Sequence, residues 1–193
     1  MPPNRFSFFA LMVCGFLLFS LSGCDSLYRV LQKEGAEEKD LVGDILPFES
    51  NPTVEKVQKL LKIYGYAPGR IDGRLGSNTR QAIAKFQSDN GLTPNHFIER
   101  VTWEKLNSFA QRDLIKECQV NVRSLQIALQ SAGFNPGKVD GKWGFQTLNA
   151  LKAFQEEEGL KSDGKVGFQT LNKLMAYLPA PKDGSVNEAL AAQ

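Results

Sequence analysis

Val54, Val57, Leu61 and Tyr64 recur every three or four positions, and Val122, Leu125, Leu129 and Ala132 repeat that pattern in the second half of the chain. Apolar stripes of this period predict an amphipathic helix at each place. Thr53 and Asn121 stand at equivalent positions ahead of them as N-cap candidates. Gly65 and Gly133 follow as left-handed stops. A second helix in each half is predicted by Ala82, Ile83 and Phe86 and by Ala150, Leu151 and Phe154, closed by Gly91 and Gly159. A short third helix carries Trp103 and Leu106, or Leu171 and Leu174. Between the first two helices lies a glycine-rich turn, GRIDGRLG from Gly69 to Gly76 and GKVDGKWG from Gly137 to Gly144. Asp72 and Asp140 sit where their carboxylates reach the backbone N–H groups just ahead.

Aligned without a gap, 57–106 and 125–174 share sixteen of fifty positions, from Gln58/Gln126 to Leu106/Leu174. Similar apolar pairs (Val57/Leu125, Tyr66/Phe134, Ile71/Val139, Ile83/Leu151) extend the match. Self-similarity at a fixed offset marks a repeated structural unit. The fold class expected is therefore mainly α, with two tandem small three-helix bundles of roughly 55 residues, each near the lower size limit for a self-sufficient core. The expected organisation is a leader over 1–23, a linker over 24–52, modules over 53–108 and 121–178, a connector over 109–120 and a tail over 179–193. Leu114, Cys118 and Val122 at i, i+4 and i+8 predict a helical connector.

The ordered set Gly-Tyr/Phe, Pro-Gly, Asp-Gly-x-x-Gly-x-x-Thr, Phe-Gln, Gly-Leu and Thr-x-x-x-Leu resembles the peptidoglycan-binding domain found on many bacterial wall hydrolases. The resemblance covers about 53–108 and 121–178 and implies a non-catalytic module that holds something against the wall. Copy two also has the family's second Asp-Gly turn, Asp163-Gly164, where copy one reads Asn95-His96. The resemblance therefore supports the fold of copy one more fully than its binding.

Charge narrows the partners. The chain of 193 residues has net charge +2 with both signs interspersed, which points away from a nucleic-acid binder. An uncharged apolar run from Phe6 ends in LSGC at Leu21–Cys24. That string resembles a bacterial lipobox, which implies lipidation of Cys24 and removal of residues 1–23; an uncleaved membrane anchor is the alternative. Processing leaves 22 − 21 = +1, because Arg5 is the leader's sole charged side chain. Asp25 resembles an inner-membrane retention signal, so the expected place is the cell envelope, facing the periplasm, with the outer membrane as the alternative. The acidic stretch QKEGAEEKD (Gln32–Asp40) reads as solvated linker. After processing Cys118 is the one free thiol, expected as a small buried hydrophobe rather than an interchain bridge.

Catalytic chemistry is hard to assemble from this sequence. One histidine, His96, read as a surface loop residue, cannot supply the ligand set of a zinc amidase. Cys118 lacks the Ser-His-Gly-Cys setting of a transpeptidase. No cofactor and no metal are expected. Candidate ligand contacts are the polar residues beside the turns: Arg74, Asn78, Arg80, Lys142, Gln146 and Asn149. An arginine can grip a carboxylate bidentately, which suits a stem peptide rich in them. Gln87 and Gln155 lie beside buried phenylalanines, where they could face a groove. Trp143 offers a face for sugar stacking, but Leu75 at the same place in copy one reads the position as core. Asp72, Gly73 and Gly76, and Asp140, Gly141 and Gly144, are read as fixing the turn rather than touching ligand. Two functions compete: a tether from membrane to peptidoglycan, or an envelope scaffold whose repeats contact protein partners. Presenting a hydrolase to the wall lies between them.

Overall fold

The computed structural model describes residues 36–43 and 49–178. A helical stretch over 36–42, α1, comes first. Module one holds α2 (Pro52–Ile63), α3 (Ser77–Asp89) and α4 (Arg100–Asn107); module two holds α5 (Val122–Ser131), α6 (Phe145–Glu157) and α7 (Phe168–Leu174). A 3-10 turn, Met175–Tyr177, follows. The expected leader and lipobox, Asp25, linker residues 24–35 and 44–48, and the tail over 179–193 lie outside the described residues.

Helix α2 starts earlier than Thr53 predicts. Asn51 is the N-cap, with its side-chain oxygen accepting from the N–H of Thr53 (2.9 Å) and of Val54 (3.2 Å). Pro52 opens the helix where its missing N–H is harmless. Asn121 caps α5 as expected, accepting from the Ser124 N–H at 3.3 Å. Gly65 (φ 92°) and Gly133 (φ 89°) stop the first helices in the left-handed region. The next N–H, of Tyr66 or Phe134, then reaches back to the carbonyl of Leu61 or Leu129.

The apolar stripes form two cores that meet. Val54, Val57, Leu61, Ile83, Phe86 and Leu106 centre module one; Leu125, Leu129, Leu151, Phe154 and Leu174 centre module two. Helix α7 joins them. Its Leu174 belongs to the second core, whereas Phe168 and Leu171, earlier in the same helix, are buried in the first. The Phe168 ring lies 5.4 Å from Tyr64, 5.2 Å from Phe86 and 4.9 Å from Phe109. These contacts are edge-on or tilted, as aromatic quadrupoles prefer. Val120, Val166 and Leu178 touch both cores.

The connector is not a helix. Ile115–Lys116 and Gln119–Val120 form a two-stranded hairpin, β1 and β2, in the register Ile115 to Val120 and Lys116 to Gln119. Glu117 (φ 52°) and Cys118 (φ 54°) are its two turn residues. Both are left-handed, as a two-residue turn matched to strand twist requires. Phe109, Leu114 and Ile115 fill the first core, and that burial outweighs the helical spacing of Leu114, Cys118 and Val122. Cys118 is half-buried against that core rather than enclosed.

Where described, the acidic linker is solvated at Ala36, Glu37, Lys39 and Asp40 as expected, but its other face is packed on module one. In α1, Val42 is buried in the first core and Leu41 packs on it. Glu38 is 3% exposed: its carboxylate accepts from Arg80 Nη1 (2.6 Å) and from the Ile98 N–H (2.8 Å). Asn51 Nδ2 donates to the Val42 carbonyl at 2.7 Å and fastens the end of α1 to the start of α2.

Candidate functional site

Each turn is built around a glutamine buried in the first helix. In module one, Gln58 Oε1 accepts from the N–H of Asp72 (3.0 Å) and Gly73 (2.9 Å). Its Nε2 donates to Asp72 Oδ1 (3.1 Å), the Arg74 carbonyl (2.9 Å) and Thr79 Oγ1 (3.1 Å). Module two repeats this with Gln126: Gly141 N–H donates to its Oε1 (2.9 Å), and its Nε2 donates to Lys142 O (3.0 Å) and Thr147 Oγ1 (3.1 Å). The threonines in turn donate to Pro68 O (3.0 Å) and Pro136 O (3.1 Å). An amide has one strong acceptor and two donors, and here all are used, so burial leaves nothing unsatisfied. The sequence signal for this plug is a glutamine in the middle of an apolar helical face. Pairing Gln58 with Gln126 in the repeat does not by itself give either a role.

Gln87 and Gln155 make a second plug and do not face a groove. Both are buried. Gln155 accepts from the Gly164 N–H (2.8 Å) and donates to Lys165 O (2.9 Å) and Thr170 Oγ1 (3.2 Å). Gln87 does the same with the His96 N–H (3.1 Å), Phe97 O (2.9 Å) and Thr102 Oγ1 (3.0 Å). Copy one therefore keeps the second turn that its sequence lacks. Asn95 Oδ1 accepts from the Phe97 N–H at 3.0 Å, as Asp163 does from Lys165 at 2.9 Å, and His96 takes φ 70° where Gly164 has φ 70°.

The turn aspartates work on backbone. Asp72 Oδ1 accepts from the Arg74 N–H (3.0 Å) and Asp140 Oδ1 from the Lys142 N–H (2.9 Å). The Gln58 amide and the Arg74 N–H hold the Asp72 carboxyl below its ordinary pKa, and the Lys142 N–H does the same for Asp140. Gly73 (φ 70°) packs so tightly that a Cβ would run into Ser50 Oγ and the Asn51 backbone. Gly76 and Gly144 are the extended N-caps of α3 and α6.

What the turns present outward is cationic and amide-rich. Arg74, Asn78, Lys142, Gln146 and Asn149 are all exposed. In module one, Arg70, Arg74, Leu75 and Asn78 help line a concave site of about 390 Å³ that runs along the turn to Thr79. Asn78 lies over Gly69, and Gln146 over Gly137, both glycines in the left-handed region. Such a surface can hold carboxylates and peptide amides. The Arg80 guanidinium is committed to Glu38, to the His96 carbonyl (3.1 Å) and to the face of Phe97 (5.1 Å). Trp143 is not core. It is 45% exposed, and Phe145 two positions on is 78% exposed, an aromatic that the repeat alignment does not single out. Among the described residues no group of His, Cys, Asp and Glu could hold a metal ion, and no helix is long and apolar enough to cross a membrane.

Two relatives each share a little under half of this chain. N-acetylmuramoyl-L-alanine amidase CwlM of Mycobacterium tuberculosis is 36% identical over 89 residues, 42% of this chain and 22% of the relative. Carboxy-terminal processing protease CtpB of Bacillus subtilis is 34% identical over 86 residues, 45% of this chain and 18% of the relative. The chain thus spans only about a fifth of the length of either. No solved structure matches it. The family model described as "Putative peptidoglycan binding domain" matches twice, over 50–106 and 119–174, more than half of the chain and the same two stretches that carry the glutamine plugs. On that match, with its duplicated helices and turns, the chain belongs to the peptidoglycan-binding domain family.

Proposed function

We propose that this protein is a non-catalytic, lipid-anchored tether that holds a membrane to peptidoglycan through two modules. The observation that carries the proposal is the completeness of the duplication at its turns. Both modules hold both glutamine plugs, and each first turn presents a cationic residue, Arg74 or Lys142, beside an exposed amide, Asn78 or Gln146. A stem peptide offers free carboxylates and amides that match such groups. Two linked sites bind a polymer far more tightly than one, because the second contact forms at high effective concentration. The intact second turn of module one also removes the sequence-based reason to assign that module to a protein partner instead.

The anchor rests on LSGC at Leu21–Cys24. Because α1 is packed on module one, the reach from lipid to wall depends on the stretch 24–35. Fully extended, that stretch spans at most about 43 Å. Module one is accordingly held close to the membrane. The test is labelling of growing cells with radioactive palmitate, followed by detergent extraction with and without lysozyme. The proposal predicts a label that Cys24→Ala abolishes and release that needs wall digestion. Unlabelled protein that detergent alone extracts would overturn it.

A further inference from the structure

We infer that Trp143 and Phe145 form a saccharide platform on module two that module one lacks. The inference rests on the wall-binding reading and assigns one module a ligand chemistry of its own. Both rings are exposed, and neither joins either apolar cluster among the described residues. Two water-facing aromatics of this size, two residues apart, are a recurrent mark of a contact surface rather than of folding.

Local backbone makes them one surface. Gly144 between them is extended. Extended backbone sets residues i and i+2 on the same side, about 6.5 Å apart. Phe145 begins α6, so Asn149 lies one turn along the same face, and it too is exposed. Lys142 and Gln146 complete an exposed polar rim. A flat apolar centre ringed by amides and a cation fits a pyranose: its axial C–H groups pack on the π faces, while its hydroxyl and acetamido groups meet the rim. A lipid surface fits less well, because the same amides would have to give up water without a partner.

Module one holds the same turn but not the rings. Its residues at the two positions are Leu75, half-buried against the first core, and Ser77. The two modules share the scaffold and differ in the rings. That contrast isolates the rings from the fold.

The experiment uses the full chain in mild detergent. The chain has two tryptophans, so Trp103→Phe leaves Trp143 as the sole reporter. Peptide-free glycan strands, free stem peptide and anionic phospholipid vesicles are each titrated while Trp143 emission is followed. A blue shift with glycan strands alone is the expected result. In parallel, Trp143→Leu with Phe145→Ser installs the residues module one already carries, which keeps the turn foldable; unchanged circular dichroism and Tm confirm that. Sacculus affinity should then fall about tenfold or more. Sacculus binding by the native chain with no shift on glycan and no loss in the double variant overturns the inference. A shift on vesicles instead assigns the rings to the membrane and also overturns it. A native chain that never pellets with sacculi refutes wall binding itself, and this inference with it.

Discussion

Phe168→Ala is the most revealing single change in the protein. The residue belongs by sequence to the third helix of module two, but its ring sits among Tyr64, Phe86 and Phe109 of module one and its neighbouring segment, with 5% of its surface exposed. Truncating a buried phenylalanine costs about 3–5 kcal/mol through lost transfer energy and the cavity left behind. Three ring partners and a backbone fixed by α7 leave little room for collapse, so the upper half of that range applies. A folded body of this size holds roughly 7–20 kcal/mol, so the variant still folds but with a marginal reserve. The assay is equilibrium urea unfolding with Trp143→Leu as background, so that fluorescence reports Trp103 in module one. With an m-value of about 2 kcal/mol/M, the midpoint should drop by about 2 M. A change made in module two would then be read in module one. A Trp103 midpoint that moves by less than about 0.3 M, less than about 0.6 kcal/mol at that slope, would refute the shared core and make the modules independent beads.

Glu38→Ala should destabilise by about 2–3 kcal/mol in the same assay, less than a fully buried pair because Arg80 is 26% exposed, with Glu38→Gln partly restoring the loss; no change would mean α1 lies loose. His96→Gly relieves a left-handed non-glycine and should raise stability by up to about 1 kcal/mol. Gly164→Ala in module two should lower it, since a Cβ there meets Leu148 Cδ1 at 2.5 Å. Two changes that move stability in the same direction would sink the equivalence of the turns. Asp72, Asp140 and Asp163 have pKa values held below the ordinary carboxylate value by donated hydrogen bonds, from Gln58 and Arg74, from Lys142, and from Lys165. Their stabilisation is complete above the unfolded pKa of about 3.9 and is lost as pH falls through the lowered folded values. Thermal melts should show acid loss beginning below about pH 4, and the triple Asp→Asn variant should show less of it; an identical acid profile in that variant counts against the assignment.

The duplication carried most of what the sequence revealed. Period, stop glycines and apolar stripes fix three helices per copy, because these are local signals that each copy states independently. Contacts between copies leave no such trace. Phe168 corresponds to Arg100 in copy one, so the residue that joins the cores looks like a mismatch in the alignment. The hairpin was hidden for a different reason: Glu117 and Cys118 adopt left-handed backbone without the Asn-Gly signature of such turns, and Leu114, Cys118 and Val122 happen to keep helical spacing. Glu38 read as solvated because a carboxylate belongs in water unless it is paired, and its partner Arg80 is 42 residues away. At the candidate site, the turn chemistry of Asp72 and Asp140 was readable from spacing alone. Gln87 and Gln155 were not, since a buried amide and a groove-facing amide look alike until their partners are seen.

Peptidoglycan binding by both modules is the central claim, and sacculus co-sedimentation with charge-reversal variants tests it most directly. Substitutions are preferable to excised modules, because the core of module one includes Phe168 and Leu171 of module two. The variants are Arg74→Glu, Lys142→Glu and their combination, all at exposed positions. Two working sites predict that each single variant weakens binding about tenfold or more and that the double variant stays in the supernatant. A double variant that pellets like the native chain, or a native chain that does not pellet, would contradict the account.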